Sequence, residues 1–510
     1  MEKPSFYLVR QILRSPAFLA QSIEQKIATL DQIEATGEIT RKEVSDLINE
    51  EKTNQDLVAI KEQLNSPMVN YDLFQTIILS SNIRGKHLIA LCNSSKKINE
   101  FCNRPFQLKN RQGVPVGPPQ EQYLFRLLLD QIRAKVPFGK TPREAYIERV
   151  VGVGVLVFGR GRNGTLGLKK SDIQPGGDIS QPRLNKLLHN IVQATGGNNH
   201  SLCLDNQGRV WVFGDNQYGQ LGLGNLVKKF KPVLNPNLNN ITYISCGTVH
   251  SVCLDIQGRV WCFGNNADGQ LGLGDNVGSL IPTLNPLLKD IVQVACGDAQ
   301  TLFLDKDGHV WVTGQNSDGE LGLGDQQQRN LVVLNPYLEN IVQVACAEFS
   351  SYFLDSQGRV WSCGMNFYGQ LGLGDSGVDK SRFIPTLIPT LSNIVQIASN
   401  GGNHVLCLDN QGRVWAFGTN TFGELGLGDE RDRDIPLALY LSNIIQIACG
   451  ENYSMCLDSK GNVFVFGNNK FGQLGLSDYS NRTFPVLNPN LKNVISMGAG
   501  SVFSFCIVKK

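Results

Sequence analysis

The chain has 510 residues, 18% charged and 41% hydrophobic, with 47 Lys and Arg against 45 Asp and Glu for a net charge of +2. This composition is that of a globular protein rather than a disordered one, and the near-balance of charge argues against a general polyanion grip or a polybasic membrane anchor. No apolar run approaches the roughly 20 residues of a membrane-spanning helix, and the opening Met-Glu-Lys-Pro has no signal-peptide pattern.

The chain divides near residue 150. Residues 1–150 hold five glycines and no tryptophan and carry a net charge of +4; residues 151–510 hold the other 48 glycines, all five tryptophans and 11 of the 13 cysteines, and carry −2. The first part reads as helical. Residues 6–34 and 40–64 mix charged and apolar residues at helical spacing, with Thr40 and Glu43 forming a capping box, so a helical segment is expected over 1–66. Pro67 breaks that pattern and opens a second module over 67–150. There, Leu73, Phe74 and Ile77 lie in one apolar stretch, and Leu88 and Leu91 belong to the apolar face of the next, which runs from Lys86 to Cys102. A Gly/Pro loop over 113–119 and a further helical stretch from Gln122 to Ala134 complete the module.

The second part is a repeat array. The pair Leu-Gly recurs at 166, 221, 271, 321, 371, 425 and 474, at spacings of 55, 50, 50, 50, 54 and 49 residues. Each unit contains an alternating apolar run such as Ser251–Asp255, a turn carrying Gly258, and a second run, Arg259–Gly264. Two such runs joined by a Gly-containing loop read as a hairpin. A further strand signal precedes it, as in Ile291–Cys296, and the segment around Leu-Gly-Leu is expected to supply a fourth strand. Four strands in about 50 residues fit a propeller blade. The Val-x-x-Phe-Gly strand occurs seven times starting at Val155, whereas the Ser-x-Cys-Leu strand first occurs at 201 and last at 504–508. The array therefore starts mid-unit, and its tail is expected to close the ring by pairing with its beginning, which removes exposed sheet edges. The fold expected is an all-β seven-bladed propeller over 151–510 behind a helical N-terminal region.

Trp211, Trp261, Trp311, Trp361 and Trp415 share one repeat position and are expected to fill the space between blades. Cys203, Cys253, Cys407, Cys456 and Cys506 share another, where Phe303 and Phe353 stand in. Cysteine interchangeable with phenylalanine is a buried hydrophobe, so no disulfides are expected and a reducing, intracellular compartment follows.

The motif Gly-x-Val-Trp-x-Phe-Gly-x-Asn-x-x-Gly-Gln-Leu-Gly-Leu-Gly, seen in full from Gly258 to Gly274, resembles the repeat of the regulator of chromosome condensation family. The resemblance spans 151–510. Residues 70–105 resemble an F-box, with Asn70-Tyr71 where that family usually has Leu-Pro. This resemblance implies docking on a Skp-type adaptor of a cullin ubiquitin ligase through Leu73, Phe74, Ile77, Leu88 and Leu91. The pairing of the two parts is similar to the F-box/propeller proteins of large amoebal DNA viruses.

No catalytic constellation is visible, none of the six histidines has metal-ligand spacing, and no cofactor is expected. The Gly-rich stretches lack the Gly-Lys-Ser/Thr ending of a phosphate loop, and the repeated Asp205, Asp255, Asp305, Asp355, Asp409 and Asp458 read as caps on hairpin turns. His200, His250 and His404 share one position with Gln300 and Tyr453; this reads either as packing within the blade or as a partner-binding face that includes Asn199, Asp298, Glu348 and Glu451. The family resemblance implies two alternatives for function: a non-enzymatic binding protein whose propeller holds a protein target, tethered to ubiquitin-ligase machinery or acting as a scaffold alone, or an exchange factor for a Ran-like small GTPase. The exchange factors of the family use acidic and His residues in these loops together with a wedge inserted in one blade, for which the 50-residue spacings leave no room. Neither nucleic acid nor membrane is expected as a partner.

Overall fold

The computed structural model describes residues 153–169 and 177–509. The helical segment expected over 1–66 and the F-box-like module over 67–150, with Leu73, Phe74, Ile77, Leu88 and Leu91, lie outside the described residues.

The described residues form seven four-stranded antiparallel sheets, the blades of a propeller. Blade I contains β3 (Ile191–Gly196), β4 (His200–Asp205), β5 (Val210–Gly214) and β6 (Lys229–Leu234), paired in that order. These positions are called a, b, c and d from the inside outward. Blades II to VI repeat the pattern over 241–284, 291–334, 341–387, 394–438 and 444–487. Blade VII is built from both ends of the array. Its a and b strands, β27 (Val494–Ala499) and β28 (Phe503–Lys509), pair with β1 (Val153–Arg160) and β2 (Asp178–Asn185) in the order β2-β1-β28-β27. The register puts Val155 opposite Ile507 and Val157 opposite Phe505, so the tail closes the ring as expected.

Burial follows radial position. Every residue of β4 is buried, because a b strand has a neighbouring blade on each of its faces, whereas the outermost β6 is mostly exposed. The hairpin between b and c turns at Gly208, with φ +74°, and at its equivalents Gly258, Gly308, Gly358, Gly412 and Gly461. The fourth strand is not at Leu-Gly-Leu. That segment is a chain of tight turns, with Gly219 and Gly222 at positive φ and Asn216 Oδ1 accepting from Leu221 N at 2.9 Å. The d strand begins only afterwards, at Lys229. The apolar Leu-x-Leu pattern imitated a strand, while the left-handed glycines made one impossible.

The core lies in the seams between blades. Trp261 packs against a cluster that draws Leu202, Leu204 and Val210 from blade I and Ile241, Ile244 and Cys253 from its own blade, as the repeat position suggested. All eleven described cysteines are buried and unpaired, and burial raises their pKa, to about 12 at Cys296 and Cys449. The inner strands are tied by glutamine clamps. Gln293 Nε2 donates to Val344 O at 3.2 Å while Val344 N donates to Gln293 Oε1 at 3.0 Å, so one amide pairs with one peptide across the seam. Gln193, Gln343, Gln396 and Gln446 make the same pair of bonds to Ile244, Ile397, Ile447 and Met497.

Candidate functional face

Antiparallel order places the a–b loops and the c–d connections at the same end of every blade. The a–b loops surround the axis. Each begins with a small residue and ends with the first residue of strand b, the position shared by His200, His250, Gln300, His404 and Tyr453.

These five side chains are fully or almost fully buried, so the structure removes them from any outward-facing role. Each bridges to the next blade. His200 Nε2 meets Ser251 Oγ at 2.9 Å, His250 Nε2 meets Thr301 Oγ1 at 3.0 Å and His404 Nε2 meets Ser454 Oγ at 3.0 Å. Those three hydroxyls already donate to the carbonyls of Gln220, Gln270 and Glu424, so each accepts from an imidazole protonated at Nε2. Burial lowers the pKa of His200 to about 3 and those of His250 and His404 to about 4, keeping all three rings neutral. Gln300 Nε2 donates to Ala347 O at 3.1 Å, and Tyr453 Oη donates to Phe503 O at 2.6 Å. The packing reading is therefore correct in kind, with bonds running between blades rather than within one. Glycine makes room for these groups: a Cβ on Gly450 would lie 1.8 Å from Tyr453 Cε1. Blade IV reverses the scheme, with Ala347 opposite the small Ser350 and the space taken by Tyr352, whose Oη lies 2.8 Å from Ser350 Oγ.

The loop residues just before these anchors remain accessible in part. Glu348 lies close enough to both Asp298 and Glu451 to feel their charges. Partial burial raises the pKa of Glu348, the hydrogen bond from Asn403 opposes this, and the charges of Asp298 and Glu451 add to the rise. Asn403 Nδ2 donates to Glu348 Oε2 at 3.0 Å, and Ser501 Oγ donates to Glu451 Oε2. Blade V carries one extra loop residue, and its Asn400 Nδ2 reaches Ala499 O of blade VII at 3.2 Å, which brings this loop over the mouth of the ring. Asn199 is held by a different partner, accepting from Asn163 Nδ2 at 2.8 Å.

Two buried carboxyls lie beneath this face. At the position before Leu-Gly, where four units have Gln, blades III and V have Glu320 and Glu424. Each uses Oε2 to accept from a loop amide, Asp318 N at 2.9 Å and Phe422 N at 2.7 Å, and each leaves Oε1 without a partner. Burial pushes both up to about 7.

The opposite end carries the b–c hairpins. Asp255 Oδ1 accepts from Gln257 N and Arg259 N, and Oδ2 accepts from Arg259 Nε at 2.6 Å and Trp261 Nε1 at 3.1 Å. Burial opposes ionisation, but the Trp261 and Arg259 bonds hold this carboxyl below its usual range. The same cap recurs at Asp205, Asp355 and Asp409, as the turn reading required. Among the described residues no group of three His, Cys, Asp or Glu side chains is placed to hold a metal ion, and no helix is long and apolar enough to cross a membrane.

A closed ring of seven four-stranded repeats, with buried polar anchors joining neighbouring blades and the a–b loops and c–d connections sharing one rim, defines the class as a propeller built on regulator-of-chromosome-condensation-type repeats. The RCC1-like domain model matches residues 154–506, and the chain belongs to that family. Among curated relatives, it is 40% identical to the probable E3 ubiquitin-protein ligase HERC4 of Mus musculus over 81 residues, which are 15% of this chain and 8% of that protein. It is 41% identical to the mouse regulator of chromosome condensation over 68 residues, 13% of this chain and 15% of that one. The matched stretches thus span a small fraction of those relatives' length. Among solved structures, Prp20p of Saccharomyces cerevisiae superposes with a TM-score of 0.64 at 22% identity, covering 74% of this chain and 96% of that one. Human WBSCR16 gives 0.62 at 23% identity, covering 70% and 99%.

Proposed function

We propose that this protein is a non-enzymatic binding module whose a–b loop face holds a protein target through Asp298, Glu348 and Glu451. The observation that carries this reading is the placing of Glu348 of blade IV within electrostatic reach of Asp298 of blade III and Glu451 of blade VI, on a ring whose inner strands are tied by glutamine clamps. Three like charges held together favour a basic segment of a target, because binding relieves their mutual repulsion. In the same reading the F-box-like residues Leu73, Phe74, Ile77, Leu88 and Leu91 engage a Skp-type adaptor and its cullin, making the propeller the substrate receptor of a ubiquitin ligase.

Affinity capture with the intact chain tests both halves. Asp298→Asn, Glu348→Gln and Glu451→Gln together should release the target and leave adaptor and cullin bound; removal of residues 70–105 should do the reverse. Retention of every captured protein by both variants contradicts the proposal.

The same acidic cluster supports a second reading, regulation of a Ran-like small GTPase. Prp20p, similar in fold, is described with binding properties to Gsp1p and histones. Faster GDP release from such a GTPase, abolished by Glu348→Gln, would favour this reading over the first.

A further inference from the structure

The repeats provide an internal standard against which one corner of the ring stands out. In blades III to VI the c–d connection is locked by an ion pair from the loop to the first residues of strand d: Arg329–Asp325, Arg382–Asp375, Arg433–Asp429 and Arg482–Asp478, each at 2.6–2.7 Å. Blade I has lost both partners, with Asn225 and Lys229 at these positions, and blade II has Asp275 and Ser279.

In place of the lock, blade I presents Leu226-Val-Lys-Lys-Phe-Lys231. Among the described residues none of Lys228, Lys229 and Lys231 pairs with a carboxylate; Lys228 Nζ lies 5.8 Å from the centre of the Phe230 ring instead. Leu226, Val227 and Phe230 are 55, 59 and 52% exposed. The patch continues onto blade II. Gly224 N donates to Leu280 O at 2.8 Å, and a Cβ on Gly224 would lie 3.5 Å from Ile281 Cγ2, which sets Leu280 and Ile281 beside the loop. Exposed apolar side chains edged by three lysines with no carboxylate partner among the described residues, in a domain of net charge −2, are the kind of surface that marks an interaction site.

We propose that this corner, Leu226–Lys231 with Leu280 and Ile281, docks a short acidic segment of a protein partner that carries apolar residues between its carboxylates. The three lysines select negative charge, and the five apolar side chains select a ligand with its own hydrophobic groups. The geometry favours a narrow peptide over a flat anionic membrane. The c–d connections share their end of the blades with the a–b loops, so a surface covering this end would also press on Asp298, Glu348 and Glu451. A peptide lying along the rim avoids them. This surface is separate from the mouth and stands whether or not the mouth binds a target.

The test is a selection of random dodecapeptides displayed on phage against the full chain. The expected winners combine Asp or Glu with Leu, Ile, Phe or Trp. A synthetic copy of the consensus should bind the parent chain with a steep loss in added salt, bind Lys228→Glu/Lys231→Glu roughly tenfold more weakly with that salt loss abolished, and bind Leu226→Ser/Val227→Ser roughly tenfold more weakly with the salt loss retained. It should bind unchanged to the chain with Glu348→Gln/Glu451→Gln. Winners without acidic enrichment, or winners held by both corner variants as tightly as by the parent chain, overturn the proposal. So does binding of phosphatidylserine vesicles through the same lysines that no acidic peptide displaces.

Discussion

Replacing Glu320 and Glu424 by glutamine should stabilise this protein, by an amount that grows as pH rises from about 4.5 to about 7 and is constant above it. Each carboxyl is fully buried, with one oxygen bonded to a loop amide and the other without a partner. Burial raises each pKa from 4.5 to about 7. Between these values the native state holds a proton that the unfolded chain has released, so stability falls as pH rises through this window and is level above it. At 1.36 kcal/mol per pH unit the loss is about 3 kcal/mol per site as an upper figure. Glutamine has nearly the same shape, cannot ionise, and already fills this position in other units, where Gln270 and Gln370 accept from Asp268 N and Tyr368 N at 3.0 and 2.8 Å. Urea unfolding at about pH 4 and about pH 8 reads the effect: each variant should gain about 1–3 kcal/mol at the higher pH and almost nothing at the lower. Other titrating groups cancel in the difference between variant and parent. An equal gain at both pH values, or none at pH 8, would refute the assignment of the cost to a buried charge.

Three further substitutions examine how the blades are joined and how their hairpins are capped. Gln343→Ala removes both bonds of one clamp and leaves the Ile397 amide without its acceptor, costing about 2 kcal/mol by urea midpoint. His404→Ala loses the Ser454 bond and opens a cavity in a packed seam, which should cost about 2–3 kcal/mol while target capture by the folded protein is unchanged. A loss of capture at unchanged stability would return this histidine to the binding face. Asp255→Ala strips acceptors from Arg259 and Trp261, so tryptophan emission should shift and the unfolding midpoint should drop; an unaltered spectrum would contradict the cap.

Much of this architecture was legible because seven copies of one unit restate each position. Blade count, ring closure, the hairpin glycines, the aspartate caps and the apolar cysteines all follow from what recurs and what substitutes for what. Reading failed where a local pattern had two physical meanings. Leu-Gly-Leu has the apolar alternation of a strand, but left-handed glycines turn it. The polar residue at His200, His250 and His404 follows a loop and invites a surface reading, but at His200 and His250 the glycine three residues earlier, Gly197 and Gly247, lacks the Cβ that would keep the ring out of the seam. The glutamine clamps were visible as the third residue of Ile191-Val-Gln and its repeats, although only the structure shows their partners, about 51 residues away. Glu320 and Glu424 differ from their neighbours by one atom in the alignment of repeats, and only burial gives that atom consequence.

Amide hydrogen exchange over residues 503–509 probes the account most directly. If this strand is locked between its neighbours in blade VII, as the register of Val155 with Ile507 requires, its amides should exchange as slowly as those of the buried b strands in blades II to VI. Exchange at the rate of an unstructured peptide would mean that the ring is open, and neither loop surface could then be held in the geometry on which binding depends.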